Sequence, residues 1–281
     1  MKILKYISLF LLFFVLLSCE QIDVIENDIP FQEFNVVSGR LIGDSSSVKI
    51  SFTKSFPIEL NLTREDVALK EVTAYIWSES QGIFTLKHEK DGIYSPVNTL
   101  YVIQGIKYEL FAEYKGERIY SVTTIPKEPI ITDAKLESGY LKCVVVPNPK
   151  SVYAAKYSIK SLDNNFESYT DSTFYEVTNK LADTLNTIEV RTANIPLAYF
   201  ENPEKYKVEL ILFSLDEPYK DYFSTRENNK PIENIFSEGG GSVFWNVSGK
   251  NTLGLFIGYT KTIVPIELNW KFLNKILPKL L

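Results

Sequence analysis

The feature that most constrains the fold of this chain is a series of short apolar segments with a two-residue period. In residues 47–54, apolar side chains such as Val48 and Ile50 alternate with polar ones, and residues 106–114 repeat the pattern. Alternation between turn residues is typical of strands that bury one face. Because such segments recur across residues 34–125, we predict an antiparallel β-sandwich there.

A pair of prolines interrupts this pattern. Pro126 and Pro129 remove two backbone donors and stiffen the short segment that contains them, as in a linker between domains. Strand-like segments resume beyond them. We therefore predict two tandem antiparallel β-sandwich domains, residues 34–125 and 131–265, joined by a proline-rich linker at residues 126–130.

One short helix is expected in the second domain. Residues 214–218 combine a cap candidate, two acidic residues and Pro218 at a position where a missing N–H costs little, so a helix should extend to about residue 229. In the first domain, Asp91 and Gly92 form a hairpin signal, because glycine adopts a positive φ without steric cost. The predicted fold class is mainly β.

The N-terminus predicts a lipid anchor. A short basic start precedes residues 6–17, an almost wholly apolar run that is too short to span a bilayer. Residues 16–19, Leu-Leu-Ser-Cys, then resemble the lipobox of bacterial lipoproteins, in which the cysteine is acylated and the preceding peptide is removed. Acyl chains give stable anchoring without a transmembrane helix. We predict a signal peptide at residues 1–18 and lipidation of Cys19.

The segment after the cysteine, residues 19–33, is predicted to be an acidic tether. Residues 20–28 carry several carboxylates and are similar to export signals that send lipoproteins of Bacteroidota to the outer face of the outer membrane. A solvated tether with no targeting role is the alternative. The predicted location is the outer membrane, with the protein facing the cell surface.

Composition excludes several functional classes. The chain has a net charge of −5, whereas nucleic-acid-binding domains carry clustered positive charge. The chain has one histidine and two cysteines, too few for the usual zinc sites. His88 precedes a turn and is expected in a solvated hairpin, whereas Cys143 lies in an apolar run typical of a core residue. We predict no metal, no cofactor and no catalytic residues.

Several short motifs occur in an order that is similar to one family. The motifs are Cys19 with Glu20, residues 36–39 (Val-Val-Ser-Gly), 72–76 (Val-Thr-Ala-Tyr-Ile), 91–94 (Asp-Gly-Ile-Tyr), 105–110 (Gly-Ile-Lys-Tyr-Glu-Leu), 120–126 (Tyr-Ser-Val-Thr-Thr-Ile-Pro), 245–249 (Trp-Asn-Val-Ser-Gly) and 253–259 (Leu-Gly-Leu-Phe-Ile-Gly-Tyr). Across most of residues 19–265 they resemble the Bacteroidota outer-membrane lipoproteins of DUF4249, a domain of unknown function. The resemblance implies an Ig-like or transthyretin-like first domain and a genetic association with TonB-dependent receptors.

The leading functional prediction is a non-catalytic surface lipoprotein. On this interpretation the protein assists a TonB-dependent receptor in nutrient uptake and binds the receptor, its cargo or both; a glycan or small-molecule ligand stays unspecified. Aromatic residues make up 14% of the chain, and exposed tyrosine and tryptophan are favoured contact residues. We predict Trp245 and Trp270 as partner contacts, and Trp77, within an alternating strand, as core filling.

The alternatives are a carbohydrate-binding lipoprotein and a surface hydrolase. A glycosidase needs two carboxylates about 5–10 Å apart and no histidine, so a raised carboxyl pKa in a cleft would distinguish it. Residues 163–165 (Asp-Asn-Asn) offer oxygen ligands for calcium, but they lack the spacing of a calcium loop, and an Asx turn is the preferred interpretation.

The tail, residues 266–281, follows a different pattern. Its apolar residues recur at helical spacing, and its lysines fall on another face of such a helix. This pattern predicts a basic amphipathic segment, which Pro278 interrupts. Such a segment can contact a membrane or a partner; packing on its own domain, or poor order, is the preferred interpretation.

Overall fold

Strands form most of the protein in a computed structural model that describes residues 31–57, 60–162, 168–179, 186–200, 203–225 and 243–266. The prediction of a mainly β chain is confirmed. The strands are β1 (Asn35–Ile42), β2 (Lys49–Lys54), β3 (Thr73–Ser78), β4 (Gly82–His88), β5 (Ile93–Pro96), β6 (Lys107–Tyr114), β7 (Glu117–Thr124), β8 (Ile130–Glu137), β9 (Tyr140–Val146), β10 (Ser151–Ser161), β11 (Tyr169–Thr170), β12 (Ile188–Asn194), β13 (Tyr206–Asp216), β14 (Val247–Gly249) and β15 (Thr252–Ile266).

The helical elements within the described ranges are short. Two 3-10 turns, Leu197–Phe200 and Pro203–Lys205, precede β13, and helix α1 (Pro218–Thr225) follows it. The helix begins at Pro218, as the sequence predicted. Its predicted end, residues 226–229, lies outside the described residues. In the described part of the chain, no helix is long and apolar enough to cross a membrane.

The strands form two sheets. The larger sheet has the order β11-β10-β13-β15-β1-β2-β5-β4-β3-β6-β7-β14, and the smaller has the order β12-β9-β8. Most pairs are antiparallel, as predicted, but β1 pairs with β15 in parallel. A parallel pair requires a long connection, and here nearly the whole chain separates the two strands.

The first hydrophobic core lies inside a sheet that curls back on itself. Nine neighbouring strands, from β15 to β14 in the sheet order, contribute buried residues to one cluster. Where the ends of the curl meet, Asn246 Nδ2 donates to the Phe256 carbonyl at 2.7 Å, and Asn246 Oδ1 accepts from the Phe256 N–H at 2.8 Å. The two arms therefore pack face to face as the layers of a sandwich.

The second hydrophobic core lies between the two sheets. Strands β10 and β13 and the end of β15 pack on β8, β9 and β12 and bury a mainly aliphatic cluster. Cys143 is 1% exposed within this cluster, in agreement with its predicted core position, and it is a free cysteine. This half is a sandwich made from two separate sheets.

Strand β15 corrects the predicted division into two tandem domains. Its first half pairs with β1 and places Phe256 in the first core, and its second half pairs with β13 and places Ile266 in the second. Strand β14, also predicted in the domain of residues 131–265, pairs with β7 in the first half. The first sandwich is thus residues 34–125 completed by strands from the end of the chain, because periodicity shows that a strand is half-buried but not which strand it joins.

The hairpin turns follow the local sequence signals. Lys115 and Gly116, the two-residue turn between β6 and β7, have φ values of 52° and 80°, as such a turn requires. Asp91 and Gly92, with φ values of 52° and 72°, lie in the three-residue loop between β4 and β5. A Cβ on Gly92 would also lie 2.3 Å from the Phe52 carbonyl oxygen. Glycine is therefore required there by both backbone angle and space.

Several predictions fall on residues that the structure does not describe. The signal peptide at residues 1–18, Cys19, most of the tether at residues 19–33, the calcium candidate at residues 163–165 and all but the first residue of the tail at 266–281, with Trp270, lie outside the described residues. They stay predictions.

Candidate functional site

The candidate site is a cleft lined by aromatic side chains on the outer face of the larger sheet, where β10, β13, β15 and β1 lie side by side. Its volume is about 570 Å³. Along β15, Phe256 points into the first core, whereas its neighbours Leu255 and Ile257 and then Tyr259 face the cleft. Side chains alternate between the two faces of β15. Those on one face are buried in the first core, and those on the opposite face form the floor of the cleft.

Aromatic side chains form the wall of the cleft. Phe174 from the segment before β12 packs edge-on against Phe213 of β13 at 5.1 Å, and Tyr219 of α1 lies 6.0 Å from Phe174. Farther along, the ring of Tyr222 lies 5.7 Å from Tyr219 and 5.5 Å from Trp245. These rings support one another, so the wall is held in place without the ligand.

A small buried cluster beneath the cleft positions helix α1. Val152, Ala154 and Leu215 are buried, and Phe174, Phe213 and Tyr219 pack against them. Tyr219 and Tyr222 lie three residues apart and therefore project from the same side of the helix. The helix is short, and this packing fixes its position on the sheet.

Three basic residues line the cleft. Lys156 Nζ lies 4.5 Å from the centre of the Phe174 ring and donates a hydrogen bond to the Ser172 carbonyl at 2.6 Å, so its position is fixed. Arg40 and Lys261 are exposed. Among the described residues that line the cleft there is no aspartate or glutamate. The site therefore has a positive potential although the chain is acidic.

Burial raises the pKa of the Tyr259 phenol, and the nearby positive charge of Arg40 offsets part of this shift. The phenol therefore stays protonated at neutral pH. It can donate a hydrogen bond into the cleft, together with the hydroxyls of Ser38 and Ser172. The cleft thus combines flat aromatic surfaces with hydroxyl donors and positive charge.

A buried carboxylate lies in a second cavity, of about 500 Å³, between the ends of β7 and β13. Burial raises the pKa of Asp216, the feature that would mark a hydrolase. Its Oδ2 accepts from Thr123 Oγ1 at 2.7 Å and the Thr124 N–H at 3.0 Å, and its Oδ1 accepts from the Glu217 N–H at 3.0 Å. Both oxygens are occupied, so Asp216 acts as a joint between the two halves.

The predicted contact residues have different outcomes. Trp245 is half-buried and lines the cleft beside Tyr222. Trp77 was predicted in the core, but it is not there. Ile76 points inward, and alternation turns Trp77 to the outer face of β3, where it is half-exposed.

His88 lies in the predicted hairpin, and its Nε2 accepts from the Gly92 N–H at 3.3 Å. Within the described ranges, no group of three or more His, Cys, Asp or Glu side chains could hold a metal ion.

A second aromatic surface crosses the outer face of β3, β6 and β7. Tyr75 stacks on Phe111 with ring centres 5.0 Å apart, and Phe111 lies 5.0 Å from Tyr120. Trp77 lies in the next row of the same face, and Tyr120 is 38% exposed. Unlike the cleft, this surface lies on a single face of the sheet with no helix over it in the described residues.

Sequence reasoning found Trp245 but missed most of the cleft. Phe174, Tyr222 and Lys156 have no motif that links them, and they come together only through packing on β10 and β13. The spacing of Tyr219 and Tyr222 on a predicted helix was the one available signal.

Comparisons with known proteins leave the family open. No family model and no curated protein matches the chain. The crystal structure of a DUF3823 family protein from Parabacteroides merdae aligns with 66% of this chain over 92% of its own length. The sequence identity is 8% and the TM-score is 0.17. A likeness this weak carries no argument about fold or function. The resemblance to DUF4249 and the Ig-like or transthyretin-like character of the first domain stay predictions.

Proposed function

We propose that this protein is a non-catalytic lipoprotein of the outer membrane that captures a sugar-containing nutrient in the aromatic cleft and assists a TonB-dependent receptor. The observation that carries the binding part is the cleft itself. Its volume of about 570 Å³ lies within the range typical of small-molecule sites. Sugar rings stack their C–H faces on aromatic side chains and bond their hydroxyls to polar groups, and this cleft offers both.

Binding without catalysis is favoured by the chemistry of the lining residues. The described lining of the cleft holds no carboxylate that could act as a general acid, and the Asp216 carboxylate in the neighbouring cavity already accepts three hydrogen bonds. The rigid sheet beneath Tyr222 and Trp245 suits recognition, because little side-chain entropy is lost when a ligand stacks on rings already held by packing.

The receptor part of the proposal is supported by two features. The lipobox resemblance at residues 16–19 predicts a lipid anchor, and the similarity of residues 20–28 to export signals predicts the outer-membrane address. The aromatic surface of Tyr75, Phe111, Tyr120 and Trp77 is separate from the cleft and has the residue types enriched at protein interfaces. We assign this surface to the receptor and the cleft to the cargo.

Ligand binding is tested by titration calorimetry of the mature protein against a panel of oligosaccharides. Trp245→Ala should weaken binding at least about tenfold, because truncation of a central tryptophan contact typically costs about 2 kcal/mol or more. Trp77→Ala is the matched control and should bind as tightly as the wild type. Equal binding by wild type and Trp245→Ala would overturn the assignment of the cleft, and so would the absence of binding across the panel.

The receptor complex is tested by affinity purification of the lipidated protein from detergent-solubilised outer membranes, followed by mass spectrometry. Co-purification of one TonB-dependent receptor, reduced in Phe111→Ala and lost in Cys19→Ala, is expected. Recovery of the lipoprotein alone would remove the receptor part of the proposal and leave the cleft assignment standing.

A further inference from the structure

A basic pocket continues the aromatic cleft at the end formed by β1 and β2. Its volume is about 280 Å³. Ser38, Arg40 and Tyr259 line both cavities, so the two form one groove. The pocket adds Lys49 and Arg64, and its remaining polar lining residues are serines: Ser47 and Ser51.

Two of these cations lie directly opposite each other on neighbouring strands. Arg40 of β1 is the register partner of Lys49 of β2, and both side chains are exposed on the outer face. Like charges in directly opposed positions destabilise a strand pair. Local folding therefore gives no reason for this arrangement, whereas a bound anion would turn the repulsion into attraction.

No acidic side chain compensates these cations within the described residues. Arg40, Lys49 and Arg64 have no carboxylate within ion-pair distance there, and the Arg64 guanidinium donates only to Ser51 Oγ, at 3.2 Å. The chain carries 35 acidic residues and a net charge of −5. Among the described residues, three cations and three serine hydroxyls thus lie together without a carboxylate, although the chain as a whole carries more acidic than basic residues.

From this geometry we propose that the groove binds an anionic oligosaccharide. Its sugar rings lie on the aromatic wall near Trp245, and a carboxylate or sulfate group lies between Arg40, Lys49 and Arg64. The serine hydroxyls donate to the remaining oxygens of the anion, and Lys261, two residues along β15 from Tyr259, contacts a second acidic group. The inference rests on the proposed function, since it names the chemical class of the ligand of the same site.

A phospholipid headgroup offers similar anionic chemistry but fits the site less well. The pocket is continuous with a concave cleft walled by α1 and Trp245, and a flat bilayer surface would reach neither the aromatic rings nor Tyr259. The oligosaccharide is therefore the occupant that uses the whole groove.

The test compares acidic oligosaccharides with their neutral counterparts on the mature protein. Oligogalacturonides are paired with their carboxyl-reduced form, and sulfated dextran oligosaccharides with plain dextran. The variant Arg40→Gln/Lys49→Gln is paired with Lys87→Gln/Lys90→Gln, which removes the same charge from exposed positions outside the groove. Vesicles containing an anionic phospholipid form a separate arm.

The expected result is that one acidic series binds at least about tenfold more tightly than its neutral counterpart. Arg40→Gln/Lys49→Gln should abolish this preference, and the control variant should keep it. Salt should weaken acidic binding more than neutral binding. The unliganded Arg40→Gln/Lys49→Gln variant should be at least as stable as the wild type, because the change removes a repulsive pair.

The outcomes separate this inference from the proposed function. Trp245-dependent binding of acidic and neutral oligosaccharides with equal affinity would overturn the anion site and support the cleft. Binding of none of the oligosaccharides would overturn both. Binding of anionic vesicles alone, lost in Arg40→Gln/Lys49→Gln, would also overturn the inference, because it would assign the basic pocket to the membrane.

Discussion

The two hydrophobic cores are closed by different means. In the first, one sheet curls until its ends meet, and the meeting line is held by side chains: the Asn246 amide bonds the Phe256 backbone, and Thr123 Oγ1 accepts from the Gly258 N–H at 2.6 Å. In the second, two separate sheets stack, and aliphatic residues such as Leu210 and Val145 fill the space between them. Where the curl closes, the edge strand β14 lies against β15, so its polar groups need side-chain partners there, whereas the two stacked sheets meet through their apolar faces.

The first core also uses buried tyrosines to satisfy backbone groups. Tyr94 Oη accepts from the Val72 N–H at 3.0 Å and donates to the Leu69 carbonyl at 2.7 Å. Tyr108 Oη accepts from the Ile103 N–H at 2.9 Å. Each hydroxyl supplies bonds that an irregular connection would otherwise lack, so closure of the curl depends on specific polar side chains as well as on apolar area.

Two structural links connect the two cores. Strand β15 contributes Phe256 to the first core and Ile266 to the second, and Asp216 at the end of β13 bonds Thr123 at the end of β7. Three predictions test how strongly these links couple the two halves.

The largest expected effect on stability comes from truncating one large buried side chain in either core. Phe256→Ala and Leu210→Ala, both 0% exposed in the wild type, should each lower the free energy of unfolding by about 3–5 kcal/mol. Because β15 runs through both cores, each variant should unfold in one transition in urea, followed by far-ultraviolet circular dichroism. Two separated transitions in either variant would show that the cores unfold independently.

An intermediate effect is expected from the joint at Asp216. Its folded-state pKa is raised by burial, so the folded state binds the proton more tightly than the unfolded state. The contribution of this group to stability is therefore complete below its ordinary pKa near 3.8 and is lost as the pH rises through the raised value.

Asp216→Asn removes this titration. The difference in unfolding free energy between wild type and variant should move against the wild type as the pH rises above about 4, and should then become constant. Urea denaturation of both proteins across this pH range measures it. A difference that does not vary with pH would contradict the assignment of Asp216 as a buried, titrating joint.

The smallest effect concerns the thiol of the second core. Burial, with smaller contributions from Asp133 and Glu189, raises the pKa of Cys143 to about 12. In a Cys19→Ala background a thiol reagent at neutral pH should label Cys143 only when the second core opens. If the cores are coupled, Phe256→Ala in the first core should accelerate this labelling; an unchanged rate would show that the second core opens alone.

Local patterns predicted the elements that depend on neighbouring residues. The hairpin turn at Asp91 and Gly92, the start of the helix at Pro218 and the burial of Cys143 all follow from residues that contact one another along the chain. Trp77 shows where this reasoning failed. Its strand was correctly identified, but Trp77 was assigned to the buried face of the alternating strand, whereas Ile76 occupies that face and turns Trp77 outward.

What the sequence by itself determined is the strand content and the turns, because each depends on residues close together in the chain; lipidation of Cys19 stays a prediction from the same kind of local pattern. Tertiary structure decided that β15 pairs in parallel with β1 and completes two cores, that Phe174, Tyr222 and Trp245 form one wall, and that Arg40 faces Lys49. Periodicity reports that one face of a strand is buried, but the same alternating strand fits many partners. The choice among them is made by the packing of residues that are distant in sequence, and that choice creates the groove.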